Sequence, residues 1–204
     1  MSKKLEILTI AREVIHSKGY KATSISDILN AADIGKGQFY YYFSSKRDLG
    51  LAVIDDLVED WTEQLINNKL HKSENPKENL NAMLDWTFKY HDDMNSKAGC
   101  PVGNLAIEMS EHDEIFREKI QVFIDKWILS MKENLDRLKE QQFIENLDTE
   151  KHAQAIFSAI EGAIMLTKVQ KSVEYLKNVI EIIKWQYNLS FSYYRLLNFD
   201  IQII

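Results

Sequence analysis

Residues 24–48 read SISDILNAADIGKGQFYYYFSSKRD, and this stretch decides the fold of the N-terminal part of the chain. Ser24, with Asp27 three residues later, has the spacing of a capping box, in which a hydroxyl and a carboxyl each bind a backbone N–H at a helix start. Asp33-Ile34-Gly35 is predicted to be a tight turn, and residues 36–43 a second short helix. Two short helices joined by such a turn have the dimensions of a helix-turn-helix.

The second of these helices carries an aromatic run, FYYYF, at positions 39–43. Phe39 and Phe43 are four residues apart, so one side of the helix can place both in the core. The three tyrosines between them occupy the rest of the circumference and cannot all be buried as well. Tyr hydroxyls and Lys ammonium groups bind phosphate, and a glutamine can hydrogen-bond an adenine edge in the major groove. The pattern therefore favours a nucleic-acid surface that includes the neighbouring Lys36, Gln38 and Lys46.

Apolar residues recur with helical spacing along almost the whole chain, and no segment shows the alternation expected of a strand. Helix start and stop signals divide this pattern, among them Gly19 after the first helix and Asn75-Pro76-Lys77-Glu78 before a later one. We predict an all-α chain of about nine helices. After the helix-turn-helix, the helices are predicted from Ser45 past Trp61, from Pro76 to near Ser96, and at about Asn104–Ser110, Asp113–Gln142, Thr149–Val169 and Val173–Phe199.

Composition excludes several classes of protein. The chain has 204 residues with one cysteine, two prolines and seven glycines, so an internal disulfide, a thiolate zinc site and a turn-rich β-sandwich are all disfavoured. The net charge of −6 at first argues against a nucleic-acid partner. The charge is uneven, however: the first 50 residues carry eight basic and five acidic side chains, whereas the other 154 carry 17 and 26. A basic end joined to an acidic body suggests two separate roles.

The pattern across residues 11–49 resembles the DNA-binding domain of TetR-family transcriptional repressors, from Gly19-Tyr20 through the helix-turn-helix to Ser45-Lys46. The resemblance implies an all-helical homodimer with a three-helix DNA-binding domain, residues 1–48, and a larger ligand-binding and dimerisation domain, residues 49–204. Two positions depart from the family pattern. Asp33 replaces the usual turn glycine and tolerates the left-handed conformation. Gly35 replaces a small hydroxyl residue and remains an acceptable N-cap, although it offers no side chain to phosphate.

Carried over position by position, the resemblance implies two sets of DNA contacts. The set expected to face the major groove is Lys36, Gly37, Gln38 and Tyr41. The set expected to contact phosphates is Thr23, Ser24, Tyr40, Tyr42 and Lys46. The alternative for Tyr40 is a packed tyrosine with a satisfied hydroxyl, and the alternative for Lys46 is a solvated surface lysine.

Aromatic and methionine residues recur on the helices expected to enclose the centre of the larger domain. They fit a core, and they also fit a cavity for an apolar or aromatic molecule, since such side chains line adaptable pockets. The candidate ligand-binding residues of this kind are Trp86, Tyr90, Met109, Trp127, Met131, Phe157 and Met165. Three polar residues lie among apolar neighbours, where a cationic or hydrogen-bonding ligand could partner them: Asn104, Glu108 and Glu161. The alternative for these three is a structural hydrogen bond or simple exposure.

Cys100 lies in a segment, residues 99–106, that looks like an element found in a subset of these repressors, some of which sense electrophiles or oxidants through cysteine. The residue stands just before a predicted helix N-terminus, where the helix dipole lowers a thiol pKa, and Lys97 acts in the same direction. Cys100 is therefore a candidate redox sensor. The alternative is a small buried apolar residue.

The last two helices are predicted to form the dimer interface. Ala155, Ala159 and Ala163 stand four apart, as do Ser158 and Gly162, so two backbones can approach closely. The final helix is expected to contribute Leu176, Ile180, Ile183, Tyr187, Phe191 and Tyr194. Two such helices from each subunit would make a four-helix bundle. The alternative is packing within one subunit.

The sequence thus predicts a cytoplasmic repressor that leaves a palindromic DNA operator when a small apolar or aromatic effector binds its larger domain. We expect no membrane partner, no cofactor, no metal site and no catalytic residues, because the five histidines are dispersed and no phosphate loop or nucleophile elbow is present. The alternative is a small-molecule binding or sequestering protein that keeps a non-functional helix-turn-helix.

Overall fold

A computed structural model describes residues 2–94, 98–144 and 147–189. Within these ranges the chain forms nine α-helices and one π-helical segment, with no strand, which confirms the predicted all-α class. The α-helices are α1 Lys3–Lys18, α2 Ile25–Ala31, α3 Lys36–Tyr42, α4 Lys46–Trp61, α5 Pro76–Asp93, α6 Pro101–Met109, α7 Glu114–Glu140, α8 Thr149–Gln170 and α9 Glu174–Gln186. The continuation of the last helix to Phe199, with Phe191 and Tyr194, lies outside the described residues.

Local capping signals account for most helix starts. Ser24 and Asp27 form the predicted capping box at α2, with both reciprocal hydrogen bonds present. Asn75 caps α5, where Pro76 occupies the first turn and needs no backbone donor. The prediction that α6 starts near Asn104 was wrong. It starts at Pro101, because proline is favoured in the first turn of a helix and the Cys100 sulfur accepts a hydrogen bond from Gly103 N.

A π-helical segment, Thr62–Leu70, continues α4 and was not predicted. Its i→i+5 bonding widens the turn, as in the bond from His71 N to Ile66 O at 2.9 Å. The buried residues of the segment are Leu65, Ile66 and Leu70, of which Leu65 and Leu70 are five positions apart. The segment packs against α5 and α7 and extends α4 along the larger domain.

The first three helices enclose a small core, built on Ile7, Ala11, Ile28 and Phe39, that is continuous with the core of the rest of the chain. α4 packs on both α1 and α7 and so joins the two parts. Gly50, in α4, allows the closest approach. A Cβ at this position would lie 2.4 Å from the Tyr20 ring and 2.9 Å from the Phe116 ring, so a larger residue would separate these elements.

The larger part is built around α7, which α8, α5, α4 and the π-helical segment all contact. Its centre is aromatic and apolar, with Phe116, Phe123, Trp127 and Met131 almost completely buried. Among the helices in the described ranges, none combines the length and the apolar character that crossing a bilayer requires.

Candidate DNA-binding interface and sensor region

The turn between α2 and α3 is held by backbone bonds, and it sets the angle at which α3 is presented. Asp33 adopts φ +48°, in the left-handed region, which aspartate tolerates better than most residues. Ile34 N then donates to Leu29 O at 3.0 Å and closes the turn. Gly35 caps α3 without a side-chain hydrogen bond. The first turn of α3 is therefore open to a partner.

The exposed face of α3 agrees with the one predicted from the aromatic run. Phe39 and Phe43 are buried at 0% and 2% exposure, whereas Tyr41 is 80% exposed. Lys36, Gly37, Gln38 and Tyr40 share the exposed side. Tyr42 is half-buried, and its ring meets the Tyr41 ring edge-on at a centroid distance of 4.8 Å. This face offers a cation, an amide and hydroxyls, which can bind both base edges and phosphates.

Two predicted phosphate contacts at the start of α2 differ from one another. The Thr23 side chain is 2% exposed, and its hydroxyl donates to Gly19 O at 2.7 Å, so it serves the turn after α1 rather than the surface. Ser24 is exposed and is held by the cap, since Asp27 N donates to Ser24 Oγ at 3.1 Å. The hydrogen bond from Lys18 and the bonds from Ser24 hold the Asp27 pKa well below its usual range.

Lys46, at the start of α4, is half-buried and anchored rather than freely solvated. Its Nζ donates to Lys21 O at 3.2 Å and lies 4.6 Å from the centroid of the Tyr20 ring. Burial lowers the Lys46 pKa, an effect that the negative charge of Glu108 opposes. The ammonium group has three donors and uses one on Lys21 O, so the others remain for an anion.

The structure reveals contacts between the larger part of the chain and residues 1–48 that the sequence did not predict. Glu108, near the end of α6, accepts hydrogen bonds from Tyr20 N at 2.8 Å and from Lys21 N at 2.6 Å. Arg47 makes a two-pronged ion pair with Asp113, at 2.5 and 3.0 Å. Glu108 was expected to serve a ligand. Its carboxylate instead holds the turn between α1 and α2, and no local pattern signals a contact across 88 positions.

An aromatic cluster fills the interior where the effector was expected. Trp86 and Tyr90 stack at 5.2 Å, and both rings meet the edge of Trp61. Trp127 extends the cluster by packing on Phe157 at 5.3 Å. Four of the candidate residues therefore lie together. Trp61 was missed, although its place on the apolar stripe of α4 would have signalled a buried position. Burial raises the pKa of Tyr90 to about 12, so its hydroxyl stays protonated at neutral pH.

Three buried polar atoms find no hydrogen-bond partner among the described residues: Trp127 Nε1, Glu161 Oε1 and Thr167 Oγ1. Such groups are uncommon in folded proteins and each requires an explanation, of which a ligand is one. Burial raises the pKa of Glu161, which lies against Cys100 and Gly103 of α6. Thr167 was not singled out in the sequence, because a threonine inside a helix has no distinguishing local pattern.

The remaining ligand candidates divide between the interior and the surface. Met109 and Met131 are buried at 6% and 0% exposure. Asn104, in α6, donates through Nδ2 to Ala98 O at 2.7 Å, so its side chain makes a structural hydrogen bond to the loop before α6. Met165 is 56% exposed on the outer face of α8, so it does not line the interior as expected, because its helical position turns it away from α7.

Cys100 is the N-cap residue of α6 and is buried. Its side chain is 4% exposed. Burial, together with the negative charge of Glu161, raises the thiol pKa well above its ordinary value. The predicted lowering by the helix dipole was wrong, because the desolvation of a buried thiolate outweighs it. Lys97, which entered the same argument, lies outside the described residues.

The apolar surface of α8 and α9 only partly matches the predicted interface. Five residues that were predicted for the dimer interface are instead buried within their own subunit. The prediction was therefore wrong for Ala163, Leu176, Ile180, Ile183 and Tyr187. Ala155, Ser158 and Ala159 are exposed as expected. The face also presents large side chains that had not been assigned to it: Met165, Leu166, Val169, Tyr175, Ile182 and Trp185.

No three His, Cys, Asp or Glu side chains in the described ranges converge as a metal site would require. The described residues form a helix-turn-helix with an exposed second helix, a larger helical part with an aromatic interior, and an apolar outer face. This arrangement defines a helix-turn-helix transcriptional regulator.

Comparisons with known proteins agree with this class. Residues 7–53 match the family described as bacterial regulatory proteins, tetR family, and residues 76–182 match the transcriptional regulator LmrA/YxaF-like, C-terminal domain. The chain belongs to the TetR family of transcriptional regulators, as the sequence pattern had indicated. It is 41% identical to an uncharacterised HTH-type transcriptional regulator in the lacX 3' region of Lactococcus lactis subsp. lactis, over 89% of this chain and 91% of the relative.

A more distant relative is the HTH-type transcriptional repressor DhaR of Mycobacterium sp. (strain GP1), which is 23% identical over 84% of this chain and 85% of its own. Among solved structures, the regulatory protein TetR from Rhodobacter sphaeroides superposes with a TM-score of 0.81 at 24% identity, covering 89% of this chain and 97% of that one. This likeness establishes the fold.

Proposed function

We propose that this chain is a ligand-responsive repressor that binds a palindromic DNA operator as a homodimer and leaves it when a small effector enters the larger domain. The observation that carries the proposal is the exposed face of α3, where Lys36, Gln38 and Tyr41 project beside a buried Phe39. A tyrosine that is 80% exposed contributes little to packing, so its position favours a role in recognition.

A dimer supports operator binding because it duplicates α3. Two recognition helices about 34–36 Å apart reach successive major grooves on one side of B-DNA, and the operator then shares the twofold symmetry of the protein. The exposed apolar face of α8 and α9 is suited to such a dimer, since monomeric proteins rarely leave large contiguous apolar patches in water. The repressor name of the relative DhaR favours repression over activation.

We propose the aromatic cluster of Trp61, Trp86, Tyr90, Trp127 and Phe157 as the effector site. The rings supply apolar and stacking surface, while two unpartnered atoms supply hydrogen-bonding groups: Trp127 Nε1 within the cluster, and Glu161 Oε1 about one helical turn after Phe157 on α8. We infer a small aromatic or apolar effector that carries polar groups for these two atoms. By linkage, it weakens DNA binding only to the extent that it prefers the conformer with poor DNA affinity.

The proposal is tested by selecting duplexes from a random-sequence pool with the ligand-free protein and measuring their affinity at several salt concentrations. We expect a selected palindrome, with affinity that falls steeply as salt rises because phosphate contacts release counterions. Lys36→Glu, on the exposed face of α3, should weaken binding at least about tenfold, whereas Lys89→Glu, exposed on α5, should have little effect.

Failure of the wild-type protein to enrich any sequence would refute the DNA-binding function. It would favour the alternative of a binding protein with a non-functional helix-turn-helix. Equal reductions in affinity from Lys36→Glu and Lys89→Glu would show that net charge, not the face of α3, governs the interaction.

A further inference from the structure

Glu108 is an acidic residue of the larger domain that lies beside the helix-turn-helix, where a negative charge should by itself repel DNA. Its two carboxylate oxygens are both engaged, one by Tyr20 N at 2.8 Å and one by Lys21 N at 2.6 Å. Gly19, at φ +89°, brings the backbone close, and a Cβ there would lie 3.3 Å from Glu108 Oε2. The carboxylate therefore fits against three consecutive residues of the turn between α1 and α2.

The opposite side of the same turn contacts Lys46. Its Nζ donates to the carbonyl of Lys21 at 3.2 Å and lies over the Tyr20 ring at 4.6 Å. The Tyr20 hydroxyl in turn donates to the carbonyl of Lys46 at 3.4 Å. The turn is thus held from α6 through its N–H groups and from the start of α4 through its carbonyl. Glu108 and Lys46 also attract one another through their charges.

We propose that Glu108 is a positioning residue for DNA binding, which acts through the Tyr20–Lys21 turn to hold the Lys46 ammonium group against the phosphate backbone. The inference deepens the proposed function and rests on it. Glu108 is then a side chain of the larger domain that positions a DNA-contacting residue without itself touching DNA. Because Glu108 lies on α6, and Gly103 of that helix abuts Glu161 of α8, the Lys46 contact depends on the position of α6 within the larger domain.

The proposal predicts a change in operator affinity that is opposite in sign to the change expected from the loss of a negative charge alone. Glu108→Gln removes a negative charge near DNA, which would by itself tighten binding, but it also replaces a two-oxygen acceptor with a single amide oxygen. We expect operator affinity to fall about tenfold, the scale of losing one well-placed charged hydrogen bond. The matched control is Glu111→Gln, which removes an exposed charge just beyond the end of α6 and should leave affinity unchanged or slightly higher.

A double-mutant cycle with Lys46→Ala separates positioning from a general structural role. The two substitutions should not add: once Lys46 is absent, Glu108→Gln should weaken binding little further. Each substitution should also lower the slope of log affinity against log salt by about 0.9 for each phosphate that the protein no longer neutralises. Glu108→Asp keeps the charge and shortens the reach, so it should weaken binding as Glu108→Gln does.

The measurements are made on the full-length chain with a duplex selected by the wild-type protein, after thermal unfolding has shown each variant to be folded at the assay temperature. Additive effects in the cycle, an unchanged salt slope, or equal behaviour of Glu108→Gln and Glu111→Gln would overturn the proposal. A wild-type protein that selects no duplex would instead refute the proposed function itself, so the two failures are distinguishable.

Discussion

At the scale of single residues, burial and distant contacts give two side chains properties that differ from those predicted from the local sequence. Cys100 and Glu108 both stand at positions that the sequence offered as functional. The surroundings of Cys100 raise its thiol pKa. The surroundings of Glu108 engage both of its carboxylate oxygens. In each case the cause comes from distant parts of the chain: burial, with Glu161 of α8 adding to it, for the thiol, and the turn at Tyr20 for the carboxylate.

Gly50→Ala should destabilise the protein by about 1–3 kcal/mol, because a Cβ 2.4 Å from the Tyr20 ring cannot be accommodated without moving α4 or that ring. Chemical denaturation of the purified variant measures this change. Gly37→Ala is the control: no atom lies within 4 Å of its added Cβ, and alanine suits a helix better than glycine. Equal stability of the two variants would contradict the close approach seen at Gly50.

His91 should make stability depend on pH. Burial lowers its pKa to about 4, so the folded protein resists protonation that the unfolded chain accepts near pH 6.5. Between these values the unfolded state binds more protons, and stability falls as pH falls from about 6.5 to 4. Over this window His91→Phe should lose less stability than the wild-type protein does, by about 3 kcal/mol. His112→Gln, at an exposed histidine, is the control for loss of a histidine, and unfolding curves at several pH values compare both variants with the wild-type protein.

At the scale of elements, the residue at which a helix starts follows from its neighbours in sequence, whereas the face of the helix that is buried often depends on distant residues. Capping residues placed α2 and α5 correctly, because a cap involves only neighbours within four positions. The π-helical segment after α4 was not predicted, since it is the packing of Leu65 and Leu70 against other helices, and not a local pattern, that goes with its wider turn. The exposed face of α9 was misjudged for a related reason, as an apolar residue can pack on its own subunit or on a second one.

Ser24→Ala should lower stability by about 1 kcal/mol by removing the cap of α2 and freeing Asp27 from its reciprocal bonds. Because α2 supports α3 through the turn, the same variant should bind operator DNA more weakly than its reduced stability alone explains. Ser26→Ala, inside α2 and exposed, is the matched control and should change neither property. Thermal unfolding and DNA titration together test this, and identical behaviour of the two variants would contradict it.

At the scale of the whole molecule, large exposed apolar side chains are concentrated on α8 and α9, away from the exposed face of α3. Trp185 is 77% exposed and Val169 66% exposed. Regulators of this family act as dimers, and such a face is what a four-helix bundle between two subunits would cover. The division of charge between an acidic body and a basic first 50 residues fits a separation of the proposed dimer scaffold from the proposed DNA surface within one chain.

Val169→Asp should convert the proposed dimer to a monomer at micromolar concentration, because a carboxylate would be buried against its partner. Val122→Asp, at a valine of the same 66% exposure on α7, should leave the assembly intact. Sedimentation velocity distinguishes the two masses. A Val169→Asp protein that still sediments as a dimer, or a wild-type protein that is monomeric, would place the interface elsewhere or exclude it.

The sequence by itself determined the all-helical class, the helix-turn-helix with its exposed tyrosines, the family, and the aromatic residues that meet in the interior. These features depend on periodicity, caps and turns, which involve residues close together in sequence and can therefore be recognised from the sequence. Only the tertiary structure decided that Thr23 and Cys100 are buried, that Met165 faces outward, and that Glu108 holds the turn beside Lys46. Those properties belong to contacts across many positions, and a side chain's pKa, exposure and partners are set by whichever distant helix folds against it.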